Sequence, residues 1–278
     1  MLPADPTVMA RWLGVAGLEF GYAGRVLLVD PYLTRIPFWR MWVGHVHPAR
    51  ELLAQHFGQV DDILVTHAHF DHLLDVPVIA QRSQAQVAAS PNACCLLEVS
   101  GVPAGQRRTL HAGDRLDLGP FQVDVRRARH GLAPGFGAGE LPPHLQAPLR
   151  ARDYRMDMDF SFLIHVAGLS ILTDPGEDWQ DATRADVLFI SPARPAVYYE
   201  RVLPQVQARL VMPLHWDNLF RPLSAPLTPY YGLPHWAWPP LQRINLADFK
   251  RRVQEIWPAA QVLVPELLRP FDLSPMPA

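Results

Sequence analysis

The chain has 278 residues, 49% of them hydrophobic and 19% charged, and 25 Lys+Arg against 27 Asp+Glu leave a net charge of −2. That length and composition fit one sizeable α/β domain with a filled core, and they exclude the overall basic field that nucleic acid requires. The two cysteines, Cys94 and Cys95, are adjacent and cannot build a disulfide framework, no apolar run reaches membrane-spanning length and no secretory leader is recognisable, so the sequence points to a cytoplasmic protein of a reducing compartment with no integral membrane segment.

Residues 18–22 and 25–30 read as two strands joined by a tight turn at Ala23-Gly24 and stopped by Asp30-Pro31. Residues 32–47 hold Tyr32, Ile36, Phe38, Trp39, Met41 and Trp42 with neither a helical nor a strand period. A short helix over 51–57 comes next. Residues 63–66 then form an apolar, β-branched run, the mark of a buried strand, and His67, His69, Asp71 and His72 follow within six positions. On a helix, residues two apart point to different sides. His67 and His69 converge only if they stand in a loop leaving the strand, with Asp71 and His72 at the start of the next helix. Imidazoles and a carboxylate together suit zinc, iron or manganese. The alternative is a polar surface loop with chance histidines.

After the motif, residues 73–81 look helical with an early interruption at Pro77, and a strand at 86–89 leads to a helix around 94–99. Strands at 114–118 and 121–128 run up to His130, which opens a Gly/Pro-rich loop extending to about residue 159. A strand-end histidine there is placed for a further ligand, or is a surface residue. Arg126, Arg127 and Arg129 just before it are solvated edge charges, or one of them meets an anionic substrate group. Strands at 160–166 and 169–173 turn at Ala167-Gly168 and close on Asp174-Pro175.

The chain then echoes itself. Residues 20–31 align without gaps with residues 164–175, and 186–191 echo 62–67 without the ligands. This suggests a single domain over 1–278 with an internal duplication, about 10–150 and 160–278. A last apolar strand at 210–214 ends in His215, an aromatic and proline-rich stretch covers 216–240, and a charged helix at 248–256 precedes a strand near Val262.

The string Thr66-His67-Ala68-His69-Phe70-Asp71-His72, with a strand before it, resembles the HxHxDH signature of the metallo-β-lactamase-fold metal-dependent hydrolase superfamily. The resemblance implies an α/β fold, a four-layer αββα sandwich of two mixed β-sheets flanked by helices. It implies two divalent metal ions, zinc before manganese or iron: His67, His69 and His130 on one, Asp71, His72 and His215 on the other, and Asp174 between them. The family more often shows Gly-Asp-Thr or Gly-Asp-Ser where this chain has Thr173-Asp174-Pro175. Asp30 is either a carboxylate standing behind the ligands or the cap of a turn before proline. Two such cations lower the pKa of a shared water from about 15.7 towards neutrality. The expected reaction is hydrolysis of an ester-type bond, a phosphodiester or a carboxylic ester or lactone, with Asp71 also acting as the catalytic group that orients the water or handles its proton.

Trp12-Leu13-Gly14, Asp30-Pro31 and a histidine after a Pro-containing strand are similar to the branch with the L-ascorbate phosphate lactonase and the N-acylphosphatidylethanolamine phospholipase D-like enzymes. Other classes compete: a non-catalytic metal-binding or signalling protein of the same fold, and a di-iron redox protein, against which His69 speaks because those relatives typically carry a carboxylate there. The loops 32–46 and 216–240 form a lid over a lipophilic or anionic small molecule, with Trp39, Trp42, Trp216, Phe220 and His235 as substrate contacts, or pack on each other, or join two copies in a homo-oligomer.

Overall fold

The computed structural model describes residues 7–130, 137–176, 183–232 and 242–273. Strands β1 (Met9–Gly14), β2 (Gly17–Tyr22) and β3 (Arg25–Val29) form an antiparallel meander, and β4 (Asp62–Leu64), β5 (Gln86–Ala89) and β6 (Arg107–Thr109) extend it in parallel. A second sheet begins with β7 (Arg115–Leu118) and β8 (Phe121–Ala128). A short parallel pair, β9 (Gly137–Ala138) with β10 (Arg155–Met156), lies in the connection to β11 (Asp159–Val166) and β12 (Leu169–Leu172). From β12 the second sheet continues in parallel through β13 (Val187–Ile190) and β14 (Leu210–Pro213). After a small pair, β15 (Tyr231–Gly232) with β16 (Gln242–Arg243), strand β17 (Gln261–Val262) ends the second sheet, and β18 (Pro270–Asp272) returns to pair with β1.

Both sheets therefore run three antiparallel strands followed by three parallel ones, β1 to β6 in one and β8-β11-β12-β13-β14-β17 in the other. The hairpin echo falls on β2–β3 and β11–β12, and the second echo on β4 and β13. A duplicated half-domain would leave this plan. The chain passes from one sheet to the other between Thr109 and Arg115, earlier than the expected division near 150–160, because β7 and β8 hydrogen-bond into the sheet of β11.

The layers follow from side-chain alternation. Along β11, Phe160, Phe162 and Ile164 enter the core between the sheets, whereas Leu163 faces the other way. Phe20 of the first sheet meets Phe189 of the second edge-on at 6.1 Å. On the outer side, Leu163, Leu172, Leu188 and Val211 pack with Tyr199, Val202, Leu203 and Val206 of α5 (Ala196–Val206) and Phe249 and Val253 of α6 (Leu246–Ile256). At the first sheet, α4 (Pro91–Val99) packs on β5 and β6, while α1 (Arg50–His56) meets α3 (Val76–Ser83). Ser90 caps α4 by accepting from the Ala93 amide, and Asn245 caps α6 by accepting from Ala247 and Asp248. Pro77 stands in the first turn of α3, where no intrahelical amide is lost, so it starts a helix instead of interrupting one. Among the described residues no helix is long and apolar enough to cross a membrane.

One buried ion pair ties the segment after β14 to the first hairpin. Arg35 Nη2 lies 2.7 Å from Asp217 Oδ2 with both side chains 1% exposed, and Asp217 Oδ1 accepts the Val15 amide at 2.8 Å. Gly14, at φ +88°, has no Cβ because the Arg35 guanidinium fills that space. Trp216 stacks on Trp12 with centroids 5.3 Å apart. Arg35→Met leaves the Asp217 carboxylate buried without its cation, which should cost roughly 3–5 kcal/mol in urea unfolding. A loss below about 1 kcal/mol would mean that the pair behaves as a solvated surface contact.

Candidate metal centre

The motif is placed by the exit of β4. The Val65 amide still bonds to the β5 side at Ala88 O, and the chain then turns so that His69 is the extended residue before the one-turn helix α2 (Phe70–Leu73). His67 and His69 thus stand in the loop, and Asp71 and His72 in the first turn of α2. His130 follows β8, Asp174 follows β12 and His215 follows β14. The β8–β11 ladder sets Asp159 opposite Ala128, at the same end as His130. All seven residues named from the sequence, His67, His69, Asp71, His72, His130, Asp174 and His215, line one cavity of about 260 Å³.

Two groups of three stand out. One ligand atom from each of His67, His69 and His130 lies within 4.8 Å of the others, and the same holds for Asp71, His72 and His215. The groups touch, with the His67 and His72 rings 3.9 Å apart. Asp174 belongs to neither group; its oxygens accept the Gly176 and Ser191 amides, each at 2.9 Å.

The ring orientations leave atoms that need a partner. His67 Nδ1 is held by Thr66 Oγ1 at 3.0 Å and Asp159 Oδ1 at 3.3 Å, and His72 Nδ1 by Asp30 Oδ2 at 2.8 Å. Their Nε2 atoms are buried with no hydrogen-bond partner, as is Asp71 Oδ1, whereas Asp71 Oδ2 lies 3.2 Å from His215 Nε2. The His69 ring is turned the other way, with Nε2 3.0 Å from Gly137 O. An orphaned buried polar atom is costly, and imidazole and carboxylate atoms left without partners in both groups fit cations. Carboxylates and a hydroxyl behind ligand imidazoles are what orient them for a metal.

Electrostatics agrees. Asp30, Asp71, Asp159 and Asp174 all line the cavity, with Arg194 the one Lys or Arg that lines it among the described residues. Burial pulls the His72 imidazolium down, but Asp30 and Asp71 overcome it and hold His72 up at about 9. Burial, against the pull of His72 and aided by Asp174 and Asp30, pushes Asp159 up to about 7. Burial would also raise Asp71, yet His72 and His215 hold it well below the carboxylate range. Burial lowers His69 to about 4 and takes His67 well below its ordinary value.

The expected substrate contacts fare differently. Trp39 and Trp42 are 52% and 60% exposed and do not line the cavity, because the turn that carries them packs through Phe38, which meets Phe220 at 5.0 Å. Trp216 is buried against Trp12, and Phe220 stands behind the lining residue Tyr230 at 6.1 Å. His235 lies outside the described residues. The two aromatic loops thus pack on each other, and the apolar lining comes from residues passed over in the sequence, Leu219, Tyr230 and Ile244. Arg126, Arg127 and Arg129 do not line the cavity either. Asp159 and Arg194 do, and only strand register could have pointed to Asp159.

Comparison with known proteins gives a match of residues 25–146 to the family described as "Beta-lactamase superfamily domain". A UPF0173 metal-dependent hydrolase of Azorhizobium caulinodans is 31% identical over 142 residues, 49% of this chain but only 54% of that protein. One from Xanthobacter autotrophicus is 33% identical over 225 residues, covering 74% of this chain and 83% of its own. Among solved structures, the metallo-beta-lactamase fold protein YhfI from Bacillus subtilis superposes with a TM-score of 0.58 at 11% identity, over 97% of this chain and 100% of that one. The architecture is the metallo-β-lactamase fold.

The raised His72 gives a pH signature. Its folded value of about 9 exceeds the ordinary 6.5, so its contribution to stability is complete below about pH 6.5 and is lost as the pH climbs towards 9. Chelator-treated protein should melt at progressively lower temperature across that window, and saturating zinc should flatten the slope by replacing the proton. A flat profile without metal would mean that Asp30 does not hold a His72 proton.

Proposed function

The chain belongs to the UPF0173 metal-dependent hydrolases, of the metallo-β-lactamase fold, and on that premise we propose that it hydrolyses an ester-type bond of a small molecule at a binuclear metal centre. The observation that carries this reading is the pair of three-ligand groups facing each other in one cavity, with unpartnered imidazole and carboxylate atoms between them. The buried carboxylates of Asp30 and Asp71, with the partly exposed Asp159 and Asp174 on the same cavity wall, would be balanced by two divalent cations.

In this proposal His67, His69 and His130 would hold one ion and Asp71, His72 and His215 the second, with Asp174, held by two backbone amides, as a further ligand. When bound, the ions, zinc first and manganese or iron next, polarise the scissile carbonyl or phosphoryl group and bring the pKa of a cavity water from about 15.7 to near 7. Asp30 and Asp159 fix the tautomers of His72 and His67 by accepting hydrogen bonds from their Nδ1–H groups, which leaves each Nε2 for a metal. Asp71, a lining residue whose Oδ1 is buried without a hydrogen-bond partner, would orient the attacking water and handle its proton. The bond is a lactone, carboxylic ester or phosphodiester, in keeping with the lactonase and phospholipase D-like branch that the sequence resembles.

The test joins metal analysis to turnover of bis-p-nitrophenyl phosphate and p-nitrophenyl butyrate by wild type, Asp71→Ala and His215→Ala. About two ions per chain are expected in wild type and about one in His215→Ala, with turnover reduced at least ~100-fold in both variants. Wild type that binds no metal and stays inert after zinc or manganese is added would end the hydrolase reading. Two tightly held irons with no hydrolysis would favour redox chemistry instead.

A further inference from the structure

His215 is held differently from the ligands that precede it in the chain. His67 and His72 are oriented through their rings, by Asp159 and Asp30. The ring contact of His215, Nε2 to Asp71 Oδ2 at 3.2 Å, is to a fellow ligand, and its side chain is 31% exposed against 2% for Asp71 and 4% for His72. Its backbone carries the constraint. The His215 amide donates to Val15 O at 2.9 Å, the Val15 amide donates to Asp217 Oδ1 at 2.8 Å, and Arg35 Nη2 donates to Asp217 Oδ2 at 2.7 Å. Trp12 Nε1 adds a second donor to Val15 O at 3.2 Å. Three members of this run, Val15, Arg35 and His215, have φ of 49°, 51° and 56°. That region is uncommon for any side chain and an outlier for a β-branched one, and such strain persists only where neighbours enforce it, as at ligand clamps. The ion pair at the far end of the run is 1% exposed on both sides. A buried pair is weak evidence of stability and is better attested as a device that fixes position.

We infer that Arg35 and Asp217 are positioning residues for the second metal site. They fix Val15, and through Val15 the strained backbone of His215, so that this partly exposed imidazole stays with Asp71 and His72. The inference rests on the binuclear reading above, and neither residue lines the cavity itself. A purely structural pair would predict a different outcome, a lower melting temperature with both ions held alike.

Zinc titration in competition with a chromophoric chelator separates these. The double variant Arg35→Met, Asp217→Leu replaces the pair by apolar groups, so it should fold, yet it leaves the Val15 amide without the Asp217 carboxylate. It should hold the first zinc as wild type does and the second roughly tenfold to a hundredfold more weakly, and Arg35→Lys should lose less. Placed on His215→Ala, the same double change should alter the affinity of the remaining ion by less than about twofold. Leu203→Ala, which opens a cavity in the outer core, shows what destabilisation alone does. If the double variant does not fold, Arg35→Lys and Asp217→Asn decide in its place, with the same loss expected at the second ion. Unchanged affinity for both ions, equal weakening of both, a matching loss in Leu203→Ala, or the full loss persisting on His215→Ala would overturn the assignment. A selective loss of the second ion without ester turnover in wild type would sink the ester reading and leave this one standing. Two ions and turnover in wild type, with variants that bind both ions equally well, would do the reverse.

Discussion

The Asp30 carboxylate is the joint on which the rest of the site hangs. Its Oδ1 accepts the Thr66 amide at 2.8 Å, and its Oδ2 accepts the Thr66 hydroxyl at 2.6 Å and meets His72 Nδ1 at 2.8 Å. Its own amide bonds to Leu64 O at 3.0 Å. One side chain therefore joins the end of β3, the exit of β4 and the first turn of α2. A carboxylate 1% exposed is tolerable only with such partners, since an unpaired buried charge would be neutralised or expelled. From the sequence, Asp30 was either a turn cap or a carboxylate behind the ligands. Its oxygens reach Thr66 and His72, so the carboxylate stands behind the candidate ligand His72.

Strain collects around the same cavity. Val15, Asp30, Arg35 and His215 all have positive φ, between 45° and 56°, and each such backbone costs of order 1–3 kcal/mol. Each is over-determined by neighbours. His215 donates its amide to Val15 O, the Val15 amide is held by Asp217, and Asp217 is held by Arg35. The core between the sheets and the second one under α5 and α6 supply the stability that lets this end of the sandwich hold strained turns and like charges together. The like charges matter most. Against burial, Asp30 and Asp71 hold His72 up at about 9, and burial aided by Asp174 and Asp30 pushes Asp159 up to about 7.

Legibility differed by range of contact. The spacing of His67, His69, Asp71 and His72 behind a buried strand was readable because loop and helix start lie within a few residues of each other. His130, Asp174 and His215 were readable only as strand ends, through the resemblance. The wall of this cavity is made by other residues than the aromatic ones named from the sequence. Aromatic density drew attention to Trp39, Trp42 and Trp216, but an aromatic side chain is as readily used to pin one loop to another, and Trp216 on Trp12 and Phe38 on Phe220 do that. Helix α5 went unread because Pro204 stands inside it, where it removes an i→i−4 hydrogen bond, and the apolar face of Tyr198, Tyr199, Val202 and Val206 outweighs that loss.

What the sequence determined by itself was local: the strand-loop-helix motif with its metal-competent side chains, the alternation that builds two-faced strands, and the hairpin that recurs as β2–β3 and β11–β12. The tertiary structure decided what depends on residues far apart in the chain. It set Asp159 behind His67 through the register of β8 with β11, it placed Arg194 in the cavity and the arginines before His130 outside it, and it split the chain between sheets near residue 110. The physical reason is that periodicity and spacing fix which way a side chain leaves its own strand. Which strand ends share a cavity is fixed only when two sheets pack face to face.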